Sequence, residues 1–232
     1  MNKMEASVSK VWFGRKVCDL CGGKLIKHGF TSSGKTRFKC SNCNKTKVEY
    51  YTSNAYKSNT NKKIIQLTKE GLGIRSTARI LKISPTTLLK RIVSIARNIA
   101  KPIISKGKTY EVDEMCTYIR RKRNFIWLVY ALEKESKNVV SFNVGKRTNK
   151  TLSHVLDTLK LSEVKKIFTD RLKNYRYLID EKLHSVKRFG TNHIERQNLT
   201  LRTHLKRLNR RTLCYSKSLV VLIAILKIYF WF

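Results

Sequence analysis

The chain has 232 residues and carries 50 lysines and arginines against 15 aspartates and glutamates, a formal net charge of +35. Such an excess disfavours a compact state unless a polyanion neutralises it, so nucleic acid is the leading expected partner and an anionic membrane the second. Hydrophobic residues make up 41% of the sequence, so we expect most of the chain to fold into two or three small domains.

Neither end of the sequence has the pattern of a membrane segment. The apolar C-terminal run LVVLIAIL stops at Lys227, well short of the ~20 residues that span a bilayer, and is better explained as a core helix or strand. The N-terminus lacks the apolar region of a signal peptide. We therefore expect a cytoplasmic, nucleoid-associated protein without a membrane partner.

Two cysteine pairs lie near the N-terminus in the pattern C-x2-C-x18-C-x2-C. They are Cys18, Cys21, Cys40 and Cys43. Two such pairs can enclose one tetrahedral Zn²⁺ ion and leave no open position, as in a structural zinc ribbon. Disulfide formation is the alternative, which a cytoplasmic location disfavours.

The segment that follows the ribbon has helical periodicity in three stretches, from Asn61 to about Ala100. Ser84 and Pro85 form a typical helix start, with a capping hydroxyl and a proline in the first turn. The third helix is suited to reading DNA as the recognition helix of a helix-turn-helix. Its candidate DNA-binding residues are Thr86, Thr87, Lys90 and Arg91. A helical linker with solvated basic residues is the alternative.

The second half of the chain has an α/β pattern. TYEVDEMCTYI, NFIWLVYALE and NVVSFNVGKR predict an antiparallel meander. A helix over NKTLSHVLDTLKL, a fourth strand at VKKIFTD, a helix from about Asn174 to Leu183 and a last long helix follow.

Three carboxylates occupy informative places in this pattern. Asp113 lies in the first strand, Asp170 at the end of the fourth and Glu195 at the start of the last long helix, where α/β proteins place ligands. Clustered carboxylates in a basic protein suit Mg²⁺ or Mn²⁺, and two such ions can drive phosphoryl displacement. Taken singly, Asp113 could face solvent and Asp170 could cap the next helix.

Glu195 has its own structural alternative. Asn192-His193-Ile194-Glu195 fits a capping box, in which the glutamate folds back to the first amide of the helix. On a regular helix, Glu195 shares one edge with Asn198, Arg202 and Lys206, whereas His193 falls on the other flank. Arg202 and Lys206 are therefore candidates for holding DNA beside the carboxylates.

The sequence resembles the transposases of the bacterial insertion sequence 1 family over essentially its full length. The resemblance is carried by the paired cysteines and by the segments KIIQLTKEGLGIRSTARIL, DEMCTYIRRKRNFIWLVYALEKESKNVV, GKRTNKTL, FTDRLKNY and HIERQNLTLRTHLKRLNRRT followed by SKS. Two features depart from the family. Both halves lie in one reading frame here, and RLKNY follows Asp170 where some relatives have a glycine and a tryptophan.

The resemblance implies an RNase H-like catalytic domain with an Asp-Asp-Glu triad of Asp113, Asp170 and Glu195. It also implies that a zinc ribbon at residues 1–55 and a helix-turn-helix at 56–105 recognise terminal repeats, ahead of the catalytic domain at 106–232. The expected function is metal-dependent cleavage and strand transfer of double-stranded DNA by a homodimer or larger synaptic complex. Two alternatives remain: a transcription regulator with a non-catalytic dimerisation domain, and an RNase H-like nuclease without strand transfer.

Overall fold

The computed structural model describes residues 17–232, which form two compact units. The first unit extends to Thr60 and the second runs from Asn61 to Phe232. Each unit is described by itself below. Within the described residues, no helix combines the length and apolarity needed to cross a bilayer.

The first unit is a small antiparallel sheet of three strands. These are β1 (Leu25–Phe30), β2 (Thr36–Cys40) and β3 (Thr46–Val48), in the order β1-β2-β3, followed by a short 3-10 turn at Asn54–Tyr56. Its buried hydrophobic cluster consists of Cys18, Leu25 and Cys40, with Phe38 against them. So little apolar burial leaves this segment dependent on a further source of folding free energy.

The predicted trio of helices is present. They are α1 (Thr60–Lys69), α2 (Ile74–Leu81) and α3 (Pro85–Arg97). The predicted start of α3 is confirmed, since the Ser84 hydroxyl accepts a hydrogen bond from the Thr87 amide and Pro85 begins the helix. Ile80 on α2 is exposed, whereas the neighbouring Ala78 and Leu81 are buried.

The second unit is built on a five-stranded mixed sheet. Its strands are β4 (Thr109–Tyr118), β5 (Phe125–Glu133), β6 (Val139–Gly145), β7 (Lys166–Thr169) and β8 (His184–Ser185), in the order β6-β5-β4-β7-β8. The predicted meander is confirmed because β4, β5 and β6 pair antiparallel. The predicted fourth strand β7 pairs parallel to β4, and the two-residue β8 was not predicted.

Four helices connect and cover these strands. They are α4 (Asn149–Lys160), α5 (Lys173–Leu178), α6 (Asn192–His204) and α7 (Leu219–Trp231). α5 ends five residues before the predicted Leu183. The C-terminal apolar run forms the core helix α7, which settles the choice between helix and strand.

The predicted extent of the last long helix was wrong at its C-terminal end. α6 ends at His204, and Lys206 lies in a separate 3-10 turn, Lys206–Leu208. The backbone leaves the helix at Leu205, which is buried together with Leu208. Lys206 therefore does not continue the helical edge that carries Glu195.

The sheet has a hydrophobic core on each face. One face, including Tyr110, Val112 and Val129, packs with α4 and α5. The other face, including Met115 and Leu128, shares a single cluster with α6, α7 and the apolar residues of α1–α3. The helices α1–α3 and the sheet share this cluster, so packing shows no domain boundary at residue 105. The predicted three-domain division stays a prediction.

Candidate functional site

The four paired cysteines converge in the first unit. Their sulfur atoms all lie within 4.8 Å of one another, with Cys18 Sγ 3.6 Å from Cys43 Sγ and Cys21 Sγ 3.5 Å from Cys40 Sγ. A tetrahedral ion with Zn–S bonds of ~2.3 Å requires sulfurs about 3.8 Å apart. The cluster is therefore compatible with zinc.

The electrostatics of this cluster also favour a bound cation. Backbone N–H donation, chiefly from Cys43, lowers the pKa of Cys40 to about 6. The pKa of Cys21 is raised to about 12 despite donation from the Gly23 amide, because the neighbouring sulfurs of Cys40 and Cys43 disfavour a further negative charge. A cation between the sulfurs would relieve this repulsion.

The parallel pairing of β4 with β7 brings two of the predicted carboxylates together. Val112 is paired with Thr169, so the next residues are Asp113 on β4 and Asp170 immediately after β7. Ligand oxygens of Asp113, Glu114 and Asp170 lie within 4.8 Å of one another. We refer to these three residues as the acidic cluster.

Asp113 does not face solvent, which was the alternative drawn from sequence. It is half-buried, and its two carboxylate oxygens accept hydrogen bonds from the Glu114 amide and from Asn198 Nδ2, each at 2.7 Å. Burial is the main cause that raises the pKa of Asp113, and the charges of Asp170 and Glu195 raise it further against these two donors. Asp113 therefore sits where a cation would stabilise its charged form.

Glu114 is the member of the acidic cluster that was not predicted from the sequence. Its side chain is 1% exposed, its Oε1 has no hydrogen-bond partner in the part of the chain that the structure describes, and its Oε2 lies 3.9 Å from Arg147 Nη2. Burial, followed by the charge of Asp170, raises its pKa to about 7. A usable signal was present, since residues 111–114 contain three carboxylates in a chain with only 15.

Asp170 follows β7 directly and precedes α5. Its Oδ1 accepts a hydrogen bond from the Leu172 amide at 3.0 Å, whereas α5 begins at Lys173. This contact forms a local turn before the helix and gives no side-chain cap to α5, because the capping residue Leu172 has none. The other carboxylate oxygen, Oδ2, takes no part in this turn.

Glu195 lies in the first turn of α6, but the predicted capping box is absent. The helix is capped one residue earlier, at Thr191, without a side-chain cap hydrogen bond. The Thr191 hydroxyl instead donates to Glu195 Oε1 at 2.8 Å. Glu195 is exposed and outside the group of oxygens within 4.8 Å, yet its charge contributes to the raised pKa of Asp113.

A buried glutamate on β4 anchors the start of α6. Glu111 is fully buried, and its carboxylate accepts from the Ile194 amide at 2.8 Å and contacts His193 Nδ1 at 2.7 Å. Lys134 Nζ lies 3.6 Å from the same carboxylate. The anionic group thus meets the unpaired amides of the helix N-terminus, where it is most stabilising. Glu111 was not among the site residues predicted from the sequence.

Asn198 ties the next turn of α6 to the acidic cluster. It donates to Asp113 Oδ2, and its own Oδ1 accepts from the Tyr130 hydroxyl at 2.8 Å. The predicted helical edge is therefore correct for Glu195 and Asn198, both of which act on Asp113. His193, which was predicted to lie on the other flank, contacts Glu111 on β4.

The predicted DNA-binding residues differ in their exposure. Arg202 is half-buried, and its Nε has no hydrogen-bond partner within the described part of the chain. On α3, Thr86 and Lys90 are exposed, whereas Thr87 takes part in the helix cap and Arg91 donates to Asn61 Oδ1 at 2.9 Å. Their contacts with DNA stay predictions.

Two viral structures show a distant likeness to the chain. The cryo-EM structure of a simian T-cell lymphotropic virus intasome in complex with PP2A regulatory subunit B56 gamma aligns at a TM-score of 0.37 and 15% identity. That alignment covers 70% of this chain and 66% of the other. The HTLV-2 integrase catalytic core domain in complex with magnesium aligns at 0.36 and 17%, over 55% and 86%. Such scores are too low to establish a shared fold.

Sequence relatives are much closer. Over 108 residues the chain is 40% identical to the insertion element IS1 protein InsB of Shigella flexneri, which covers 47% of this chain and 82% of that protein. It is 39% identical over 108 residues to the IS1 2 protein InsB of Escherichia coli K12, which covers 47% of this chain and 65% of that protein. Residues 108–230, just over half of the chain, match the family model described as IS1 transposase. The chain therefore belongs to the IS1 transposase family.

Proposed function

We propose that the protein is a DNA transposase of the Asp-Asp-Glu type, which binds the terminal inverted repeats of its element and carries out metal-dependent strand cleavage and strand transfer. The observation that carries this proposal is the convergence of Asp113 and Asp170 on neighbouring parallel strands, with α6 beside them. The strand order β6-β5-β4-β7-β8, with the first three antiparallel, is also the order expected of an RNase H-like domain.

The acidic cluster fits a divalent cation. Three carboxylates share one site, a buried Glu114 oxygen has no hydrogen-bond partner within the described residues, and the pKa values of Asp113 and Glu114 are both raised by burial and by the charge of Asp170. Mg²⁺ or Mn²⁺ prefers such oxygen ligands, and a bound ion would activate the attacking oxygen and stabilise the leaving one. We assign Asp113 and Asp170 to hold the ions and Glu195 to complete their coordination.

The remaining residues have supporting roles in this proposal. Glu111 and Asn198 fix the first turns of α6 against β4, which keeps Glu195 at the edge of the acidic cluster. Arg202 and Lys206 offer positive charge to the DNA backbone near that edge. A homodimer or larger complex on paired ends is required, since both ends must be joined to one target.

The zinc ribbon and the helices α1–α3 are assigned to recognition of the terminal repeats. The cysteine cluster fits Zn²⁺ in a closed tetrahedral site, whose role is to fold the ribbon. The exposed Thr86 and Lys90 of α3 would contact the major groove or its phosphates. A cytoplasmic, nucleoid-associated location follows from this role.

The proposal is tested by incubating the purified protein with DNA that carries its own flanking repeats, with and without Mg²⁺. We expect joined products only with Mg²⁺, and we expect Asp113→Asn, Asp170→Asn and Glu195→Gln to abolish cleavage while end binding persists. Asp157→Asn is the matched control, because Asp157 is an exposed carboxylate on α4 whose ion pair with Lys160 spans 3.8 Å.

The two alternatives predict different products. Cleavage without joining would favour an RNase H-like nuclease. Binding of the ends without any Mg²⁺-dependent product, unchanged in all three carboxylate variants, would favour a transcription regulator with a non-catalytic second half.

A further inference from the structure

One end of the sheet face that α4 and α5 cover is left open as a cleft. Tyr110, Val112 and Val129 on this face pack under the helices. Beyond them, the cross-strand pairs Cys116–Trp127 and Tyr118–Phe125 continue the same face. They line a cleft of about 500 Å³ together with Thr117, Lys122, Arg210 and Arg211.

The lining of this cleft combines aromatic rings with positive charge. Trp127 is half-buried, Phe125 is 60% exposed, and the three cations are exposed. No carboxylate is among the lining residues. Flat aromatic rings that stack bases, flanked by cations that hold phosphates, are the usual equipment for binding single-stranded nucleic acid.

The cleft begins beside the acidic cluster. Glu114 precedes Cys116 by two residues on the same face of β4, a separation of roughly 7 Å. Arg147 connects the two, because its Nη2 lies 3.9 Å from Glu114 Oε2 and its guanidinium lies 4.4 Å from the Trp127 ring centroid. A strand whose phosphate is held at the acidic cluster therefore has a neighbouring nucleotide at the cleft, because the separation of roughly 7 Å is within the span of one or two nucleotides.

We propose that this cleft binds an unpaired base of the DNA strand next to the acidic cluster. The base stacks on the walls formed by Trp127 and Phe125, and Lys122, Arg210 and Arg211 hold the adjoining phosphates. Bases inside a duplex are paired and stacked, so the cleft takes a base that is extruded or already single-stranded. The inference rests on the proposed function in taking DNA as the substrate and the acidic cluster as the place that holds its phosphate.

The test measures binding of single-stranded DNA in the presence of a chelator, so that no cleavage occurs. The probes are a labelled oligo(dT) of about twelve nucleotides, within the usual site size, and an abasic oligomer of the same length. We expect the wild type to prefer oligo(dT). Trp127→Leu should weaken oligo(dT) binding by about 5- to 100-fold and leave abasic binding unchanged, since base stacking has that value.

Two further aromatic variants separate stacking from a general loss of structure. Trp127→Phe keeps an aromatic ring and should retain most of the preference for bases. Tyr177→Leu is the matched control, because Tyr177 is an 86% exposed aromatic residue on α5 outside the cleft. It should bind both oligomers as the wild type does. An unchanged preference for oligo(dT) in a folded Trp127→Leu protein would overturn the proposal.

A charge variant covers the case in which Trp127→Leu does not fold. Arg210→Gln changes an exposed side chain, and it should reduce the dependence of oligo(dT) affinity on salt by about 0.7 in the logarithmic slope, the contribution of one phosphate contact. An unchanged slope would count against the proposal. Asp113→Asn should abolish cleavage yet keep the preference for bases, so a failure of the proposed chemistry is distinguishable from a failure of the cleft.

Discussion

Removal of the Glu111 carboxylate should weaken the whole second unit. In Glu111→Ala the Ile194 amide, on a fully buried residue, loses an acceptor 2.8 Å away. A hydrogen bond to a charged group contributes about 1.5–3 kcal/mol, and the negative charge at the start of α6 contributes about 1–2 kcal/mol more. We therefore expect a loss of about 2.5–5 kcal/mol in the free energy of unfolding, comparable to breaking a buried charged pair. Glu111→Gln retains an acceptor and should lose only about 1–2 kcal/mol.

Urea unfolding monitored by circular dichroism measures this change. Glu163→Ala is the control, because Glu163 pairs with Lys106 at 3.0 Å but both side chains are more than 70% exposed. An exposed ion pair contributes roughly 0–1 kcal/mol, so the control should stay close to the wild type. In the folded Glu111→Gln protein, cleavage should slow by about 10- to 100-fold, since a shift of ~1 Å in α6 displaces Glu195. If Glu111→Ala were as stable as the control, the anchoring of α6 by this carboxylate would be refuted.

Four further predictions concern backbone fit, metals and pH. A Cβ at Gly71, where φ is +74°, would overlap the His204 carbonyl oxygen, so Gly71→Ala should lower the free energy of unfolding in urea by more than about 2 kcal/mol. Gly107→Ala is the control, because Gly107 has φ +69° in open space, and it should lower that free energy by only about 1–2 kcal/mol. Equal losses would contradict the close approach of Gly71 to His204. Chelation of zinc, or Cys40→Ser, should abolish amide hydrogen-exchange protection in residues 25–48 and leave the second unit protected; retained protection would argue against a structural metal. Mg²⁺ at about ten times its dissociation constant should stabilise the protein by about 1.4 kcal/mol in thermal unfolding, and Asp170→Asn should remove that gain. Burial, with the nearby Arg176 charge, lowers the pKa of His184, so folding favours the neutral imidazole. The resulting contribution to the free energy of unfolding is present above pH ~6.5 and is lost as pH falls through the folded pKa. The dependence of that free energy on pH should flatten in His184→Gln, and an unchanged dependence would show that the imidazole is not involved.

The features that could be predicted from the sequence are those that depend on residues close together in the chain. The two C-x2-C pairs, the Ser84-Pro85 helix start and the alternation of β4 and β5 are local patterns, and each is present in the structure. The end of α6 was not predictable in this way. Its apolar spacing runs on through Leu208, yet the backbone turns at Leu205 because both leucines are buried in the shared core.

The residues of the candidate site also divide into those predicted from local sequence and those that were not. Sequence selected Asp113 and Asp170 by their places on strands, and these two residues do lie together. It passed over Glu111 and Glu114, because strand alternation states only that they point to opposite faces. Which face is buried, and against what, depends on α6 and Arg147, which are distant in sequence.

The sequence by itself determined the basic character of the chain, the cysteine pattern and the order of helices and strands, since these depend on composition and on short-range spacing. Tertiary structure alone decided the register that sets Asp170 beside Asp113, the burial of Glu111 beneath the start of α6 and the open cleft at Trp127. The physical reason is that strand register and burial are set by packing between distant segments. Asp113 and Asp170 are 57 residues apart in the sequence, and Glu111 and Ile194 are 83 residues apart, so no local window contains both partners.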